Sequence, residues 1–147
     1  GVSIGLWFNI VPVLGVIQEV RGSIYSGVAG LSATVDGFPL KVSQVNKISA
    51  ATLCTGFPAS MAHDSELVSA FVKSVCSFRK VRLLGSAALS LAWLAQGRVD
   101  AYAEECIQIW DVAAGLALLS AAGGRFDVKV LEGTSLRVFA DNGLLWR

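Results

Sequence analysis

The chain has 147 residues, 54% of them hydrophobic and only 16% charged, with a formal net charge of +1 and a mean hydropathy of +0.61. This much apolar surface excludes bulk disorder, and the length suits one ordinary domain. The basic residues are scattered; their only cluster, Arg79, Lys80 and Arg82, reads as a solvated edge before a strand, so no nucleic-acid partner is expected.

Residues 1–17 carry no charge. Asn9 and Pro12 divide them into strand-length pieces, short of the roughly 20 apolar residues that a membrane-spanning helix needs, so no membrane span is expected. Residues 2–8 and 11–20 are rich in Val, Ile and aromatics and predict paired strands joined near Asn9. Residues 23–26 predict a third short strand and 27–30 a turn. Residues 33–35 and 40–42 flank a turn at Asp36-Gly37-Phe38-Pro39, where Gly permits a positive φ and Pro fixes its own. An antiparallel meander is thus predicted for residues 1–45.

The pattern then changes. Residues 48–55 predict an apolar strand ending at Gly56-Phe57-Pro58. Asp64 is placed to cap a helix that carries Leu67, Ala70, Phe71 and Val75 on one face. A short strand over 80–84 leads to Gly85 and Ser86, with Ser86 an N-cap for a helix that runs to Gln96 and stops at Gly97. Residues 99–103 predict the next strand, Asp111 the cap of a helix over 112–122 that stops at Gly123-Gly124, and 136–140 a final strand. Strands alternating with helices over 46–147 predict an α/β layer that follows the meander, both within a single partial domain over 1–147.

Cys54, Cys76 and Cys106 show no CxxC spacing, which argues against a zinc site or a disulfide framework. Cys54 and Cys76 lie in apolar runs and are expected as buried thiols in a reducing, cytoplasmic setting. The single histidine, His63, lies in a polar loop with no triad around it.

The most informative stretch runs from Arg82 to Gly124. It holds Gly85-Ser86-Ala87-Ala88-Leu89, Gly97-Arg98-Val99-Asp100-Ala101-Tyr102, Glu104-Glu105, Trp110-Asp111-Val112-Ala113-Ala114-Gly115 and Ala121-Ala122-Gly123-Gly124, in that order. Order and spacing together resemble the second signature of the inositol monophosphatase family. Gly37-Phe38-Pro39-Leu40, Gly56-Phe57-Pro58 and Asn142-Gly143-Leu144-Leu145 extend the resemblance over nearly the whole chain. The resemblance implies the C-terminal part of a layered α-β-α-β-α sandwich of the sugar-phosphatase type. It also implies a magnesium-dependent, lithium-sensitive phosphatase acting on a small-molecule phosphate ester, often as a homodimer.

The resemblance makes Asp111 a Mg2+ ligand and Glu104 an acceptor for substrate hydroxyls. It places Gly85, Ser86 and Ala87 in the loop that reaches the substrate through backbone groups. Read from the residues alone, Asp111 and Ser86 are also natural helix caps, Glu104 a strand end, and Trp110 a packing residue that orients the turn. Ala113, Ala114 and Gly115 suit close helix packing. Cys106 stands where the resemblance has Gly, and its side chain is expected to narrow the pocket or shift Glu104.

The family's remaining ligands, a helical Glu and an Asp-Pro-x-Asp-Gly-Thr loop, have no counterpart here; of eleven acidic residues only Asp111 and Glu104 match. The chain opens in mid-strand pattern without Met, as a fragment does. It is therefore expected to hydrolyse little or nothing alone. Within the same superfamily the alternatives are a 3′(2′),5′-bisphosphate nucleotidase, a fructose-1,6-bisphosphatase or a histidinol phosphatase. Outside it, the alternative is a non-catalytic remnant acting as a binding module.

Overall fold

The computed structural model describes residues 1–9, 11–57 and 65–146. The first sheet is an antiparallel meander of β1 (Val2–Phe8), β2 (Val11–Gln18), β3 (Ile24–Val28), β4 (Ser32–Val35) and β5 (Phe38–Pro39), paired in chain order. Gly27 belongs to β3 rather than to the expected turn. It is required there because a Cβ would lie 2.8 Å from the Ala33 Cβ on β4. The second hairpin turn is also tighter than expected. Asp36 and Gly37 both take positive φ (50° and 83°), the conformation of a two-residue primed turn, so Phe38 and Pro39 pair directly with β4. Residues 40–42 leave the sheet as irregular chain.

The second sheet has the order β7-β6-β8-β10-β9, from β6 (Thr52–Thr55), β7 (Lys80–Arg82), β8 (Ala101–Gln108), β9 (Arg125–Glu132) and β10 (Ser135–Asp141). β7, β6 and β8 run parallel and β8, β10 and β9 antiparallel. Residues 48–50 form a 3-10 turn instead of the start of a strand. β9 was not expected, although Arg125-Phe126-Asp127-Val128-Lys129-Val130 alternates with the period of a half-buried strand.

The helices are α1 (Ser65–Val75), α2 (Ala87–Ala95) and α3 (Ile109–Ala121). α2 and α3 are apolar all round and fill the layer between the two sheets. Leu91, Leu94, Leu116 and Leu119 meet Cys54, Tyr102 and Val138 of the second sheet. Ala92, Ala95, Ala114 and Leu118 meet Ile17, Tyr25 and Ala33 of the first. α1 lies on the outer face of the second sheet and buries none of its residues fully; Asp64, its expected cap, and His63 lie outside the described residues. Cys54 is buried as expected, but Cys76, just past the end of this outer helix, is exposed. Sheet, helix pair, sheet and helix thus stack as layers of the expected α/β sandwich. No helix among the described residues is long and apolar enough to cross a membrane.

Three glycines set the spacing of the layers. A Cβ on Gly5 would lie 2.7 Å from the Ala114 nitrogen, one on Gly15 would collide with the Ala114 carbonyl oxygen, and one on Gly115 would lie 2.5 Å from the Leu91 Cβ. α3 is therefore in backbone contact with β1 and β2, and the Trp7 indole N–H donates to the Ala113 carbonyl at 3.0 Å. At the far end of the second sheet, buried Asp100 accepts from the Ser43 hydroxyl (2.5 Å) and the Thr52 N–H (2.6 Å). Asn142 donates to Ser43 Oγ (2.8 Å) and to the Val45 carbonyl (2.7 Å), tying the loop after the meander to the end of β10.

β8 bulges where Arg137 of β10 faces both Glu105 and Cys106, and Cys106 takes φ +60°. That conformation costs a residue with a Cβ about 1–2 kcal/mol, and glycine is the residue that adopts it freely. Cys106 is exposed and does not line the cleft beside Glu104, so the expected narrowing is replaced by backbone strain. Cys106→Gly should raise stability by about 0.5–1 kcal/mol after allowing for glycine's extra unfolded-state entropy. Urea unfolding checks this, and an unchanged or lower midpoint would contradict the strain.

Candidate functional site

A cleft of about 490 Å³ opens between the N-termini of α2 and α3, the end of β6 and the start of β1. All five residues singled out in the sequence, Gly85, Ser86, Ala87, Glu104 and Asp111, line it. Three come from the turn into α2. Gly85 has φ +67°, and the Ser86 hydroxyl accepts from the Leu89 N–H at 3.4 Å, as an N-cap does. The free N–H groups of a first helical turn favour anionic or hydroxyl oxygens.

Asp111 is not a cap. β8 runs straight into α3, which starts at Ile109 with Gln108 as its N-cap residue, so Asp111 is the third helical residue. The entry is fixed from outside the helix: the Ile109 N–H donates to the Thr134 carbonyl (3.1 Å) and the Thr134 hydroxyl to Gln108 Oε1 (2.7 Å). The Asp111 carboxylate has no hydrogen-bond or ion-pair partner among the described residues. It sits in the first turn, where the helix dipole favours negative charge.

Glu104 lies within β8 rather than at its end, because the strand runs on to Gln108. Two residues before it on the same strand face, the fully buried Tyr102 donates its phenol to Glu104 Oε2 at 2.8 Å. Burial first, then the adjacent Glu104 charge, pushes the Tyr102 phenol up, so it stays protonated as this donor. The Glu104 carboxylate lies across Gly56, where a Cβ would collide with it. Burial raises the Glu104 carboxyl above its ordinary value; the Tyr102 bond counteracts this, and the Asp111 charge adds to it. The cleft thus holds two carboxylates that repel each other, one anchored and one with its oxygens free.

Sequence reasoning took Trp110 for a packing residue, but it is 60% exposed and lines the cleft. Phe57 lines it too and stacks edge-on against Phe71 of α1, at 5.5 Å between ring centroids. Ser3 contributes from β1. The first-turn position of Trp110, next to Asp111, was the available signal for its exposure.

Unpartnered carboxylate oxygens suit a hard divalent cation. The residues present fit one carboxylate ligand from Asp111, with Glu104 beside it. Among the described residues no three His, Cys, Asp or Glu side chains converge.

A profile of the inositol monophosphatase family matches residues 1–133. The chain belongs to the inositol monophosphatase family. The inositol-1-monophosphatase SuhB of Mycobacterium tuberculosis is 36% identical over 129 residues, which are 84% of this chain and 44% of that protein. The Nus factor SuhB of Pasteurella multocida is 32% identical over 116 residues, 76% of this chain and 42% of its own length. The solved inositol monophosphatase of Anabaena (Nostoc) sp. superposes with a TM-score of 0.84 at 40% identity, over 96% of this chain and 58% of that one. The chain spans about half the length of the curated relatives it matches. This is a phosphatase family, and the two sheets with their helices are its fold.

The Glu104 geometry has a consequence for stability. Its folded carboxyl binds a proton more tightly than the unfolded one, so stability falls as pH rises from the ordinary glutamate value through the raised one. Glu104→Gln keeps an acceptor for Tyr102 and removes that fall. The variant should gain on the parent as pH rises through this window and hold its advantage above it, in denaturant unfolding followed against pH. Parallel stability curves would contradict the buried charge.

Proposed function

We propose that this chain supplies part of the site of a magnesium-dependent phosphomonoesterase that acts on inositol monophosphate or a related polyol phosphate. The observation that carries this reading is the free Asp111 carboxylate on the first turn of α3, facing the cleft that Glu104 enters from β8. Asp111 would hold magnesium through an oxygen that no protein donor occupies. The bound ion supplies positive charge for the phosphate oxygens and for a water nucleophile.

The other residues act on the rest of the substrate. Glu104 has one oxygen fixed by Tyr102 and the other turned across Gly56. It accepts hydrogen bonds from the hydroxyls of the alcohol portion and fixes the ring's orientation. Gly85, Ser86 and Ala87 offer backbone N–H groups and a hydroxyl from the opposite wall. Trp110 and Phe57 exclude water from the rim. As a carboxylate, Glu104 accepts from polyol hydroxyls and repels a second anion.

Two carboxylates do not make the octahedral oxygen shell that magnesium prefers, so the 147-residue chain alone should release no phosphate above background. The test is a chimera in which this chain replaces the matching part of the Anabaena enzyme. With inositol 1-phosphate and Mg2+ it should release phosphate, and Asp111→Asn should lower kcat/KM roughly 100-fold or more. Clear magnesium-dependent hydrolysis by the chain alone, or a folded chimera indifferent to Asp111→Asn, would overturn the reading.

A further inference from the structure

At the opposite end of β6 from the carboxylate cleft lies a second cleft, of about 450 Å³. Thr52 lies in it and Gly56 in the first, so about 13 Å of strand separates their floors. Arg79, Lys80, Arg82 and Arg98 all line this second cleft. The sequence showed the first three as a run and suggested a solvated edge; the fold adds Arg98, from the turn after α2.

The charge balance of this cleft is unusual for this chain. Its one acid, Asp100, has both oxygens engaged by Ser43 and Thr52. The only ion pair among the described residues is Arg137 with Glu105, so none of the four cations has a carboxylate within 4.0 Å. A surplus of three positive charges collects here in a chain whose whole net charge is +1.

The arrangement is also held in place. Lys80 and Arg82 are alternate residues of β7 and project from the same face of an edge strand. The Arg98 guanidinium stacks on Trp93 at 4.0 Å, and its backbone N–H donates to the Trp93 carbonyl at 2.9 Å. Stacking fixes the guanidinium plane; part of its edge meets the Tyr25 hydroxyl, which also bonds Glu19, and the N–H groups left over would meet phosphate oxygens. Gly97, at φ +73°, lets the loop of residues 41–43 close one wall, since a Cβ there would lie 2.9 Å from the Lys41 carbonyl oxygen.

We propose that this cleft is a second anion site, for a small molecule carrying two or more neighbouring phosphates. The concave shape and the volume suit a ligand of that size rather than an extended strand. Arg98 covers one face of the only aromatic ring in the cleft, so recognition runs through phosphates rather than through base stacking. Pyrophosphate and a nucleoside diphosphate share the required chemistry.

The test is a titration of the 147-residue chain at low ionic strength, followed by amide chemical shifts, with pyrophosphate, ADP and orthophosphate as separate probes. Pyrophosphate should bind saturably, shift residues 79–82 and 98, and bind more than about tenfold tighter than orthophosphate. ADP matching pyrophosphate supports recognition through the diphosphate. Lys80→Ala combined with Arg82→Ala should weaken binding by more than about tenfold, and so should Arg98→Gln, while Asp111→Asn leaves it unchanged. Equal affinity for orthophosphate, indifference to both sets of variants, or shifts confined to residues 85–87 and 111 would overturn the proposal. A single-stranded RNA oligomer that displaces pyrophosphate from these residues at lower concentration would overturn it in favour of nucleic acid.

Discussion

The backbone contact of α3 with β1 and β2 is the constraint on which the rest of the structure depends. A helix normally stands off a sheet by the depth of its side chains. Here Gly5 and Gly15 remove that depth on the sheet, and Ala113 and Ala114 remove it on the helix. Gly115 does the same toward α2, where Leu91 fills the space of the absent side chain. The N-terminus of α3 is thereby driven to one position, between the start of β1 and the end of β6. Any Cβ on the sheet side would meet backbone atoms, which cannot rotate away, and overpacking of that kind costs about 1–3 kcal/mol or more. The place of Asp111 follows from glycines that have no chemistry of their own.

The second sheet delivers the partner group. β8 carries Tyr102 and Glu104 on one face, two residues apart, Tyr102 in the core and Glu104 at the cleft, and the phenol holds the carboxylate at 2.8 Å. Desolvation and the Asp111 charge both disfavour ionised Glu104. Two carboxylates lining one cleft disfavour each other's ionisation. On the proposed function, a cation at Asp111 would relieve that repulsion.

The sequence made some of this legible and not the rest. The α2 boundaries could be read because Ser86 and Gly97 have local, directional capping chemistry. The ordered motifs from Gly85 to Gly124 identified the family because each satisfies a distinct steric or electrostatic demand. The strand ends were misread where tertiary pairing decided them. β8 runs on past Glu104 because β10 is there to receive it, and β9 exists because β10 offers its other edge. Asp111 looked like a cap because the helix start depends on Thr134, which is remote in sequence. Cys106 was recognised as out of place, but the penalty is backbone strain, which no side-chain argument would have found. The anion cleft was invisible because its fourth cation is separated from the other three by a whole helix.

Mn2+ shares the oxygen-ligand chemistry of Mg2+, and its paramagnetic broadening of amide signals reports where a divalent cation sits on this chain. The account predicts that residues 110–112 and 85–87 broaden first, that Mg2+ reverses the effect, and that Asp111→Asn abolishes it. Broadening that begins elsewhere, or that survives Asp111→Asn, would contradict it.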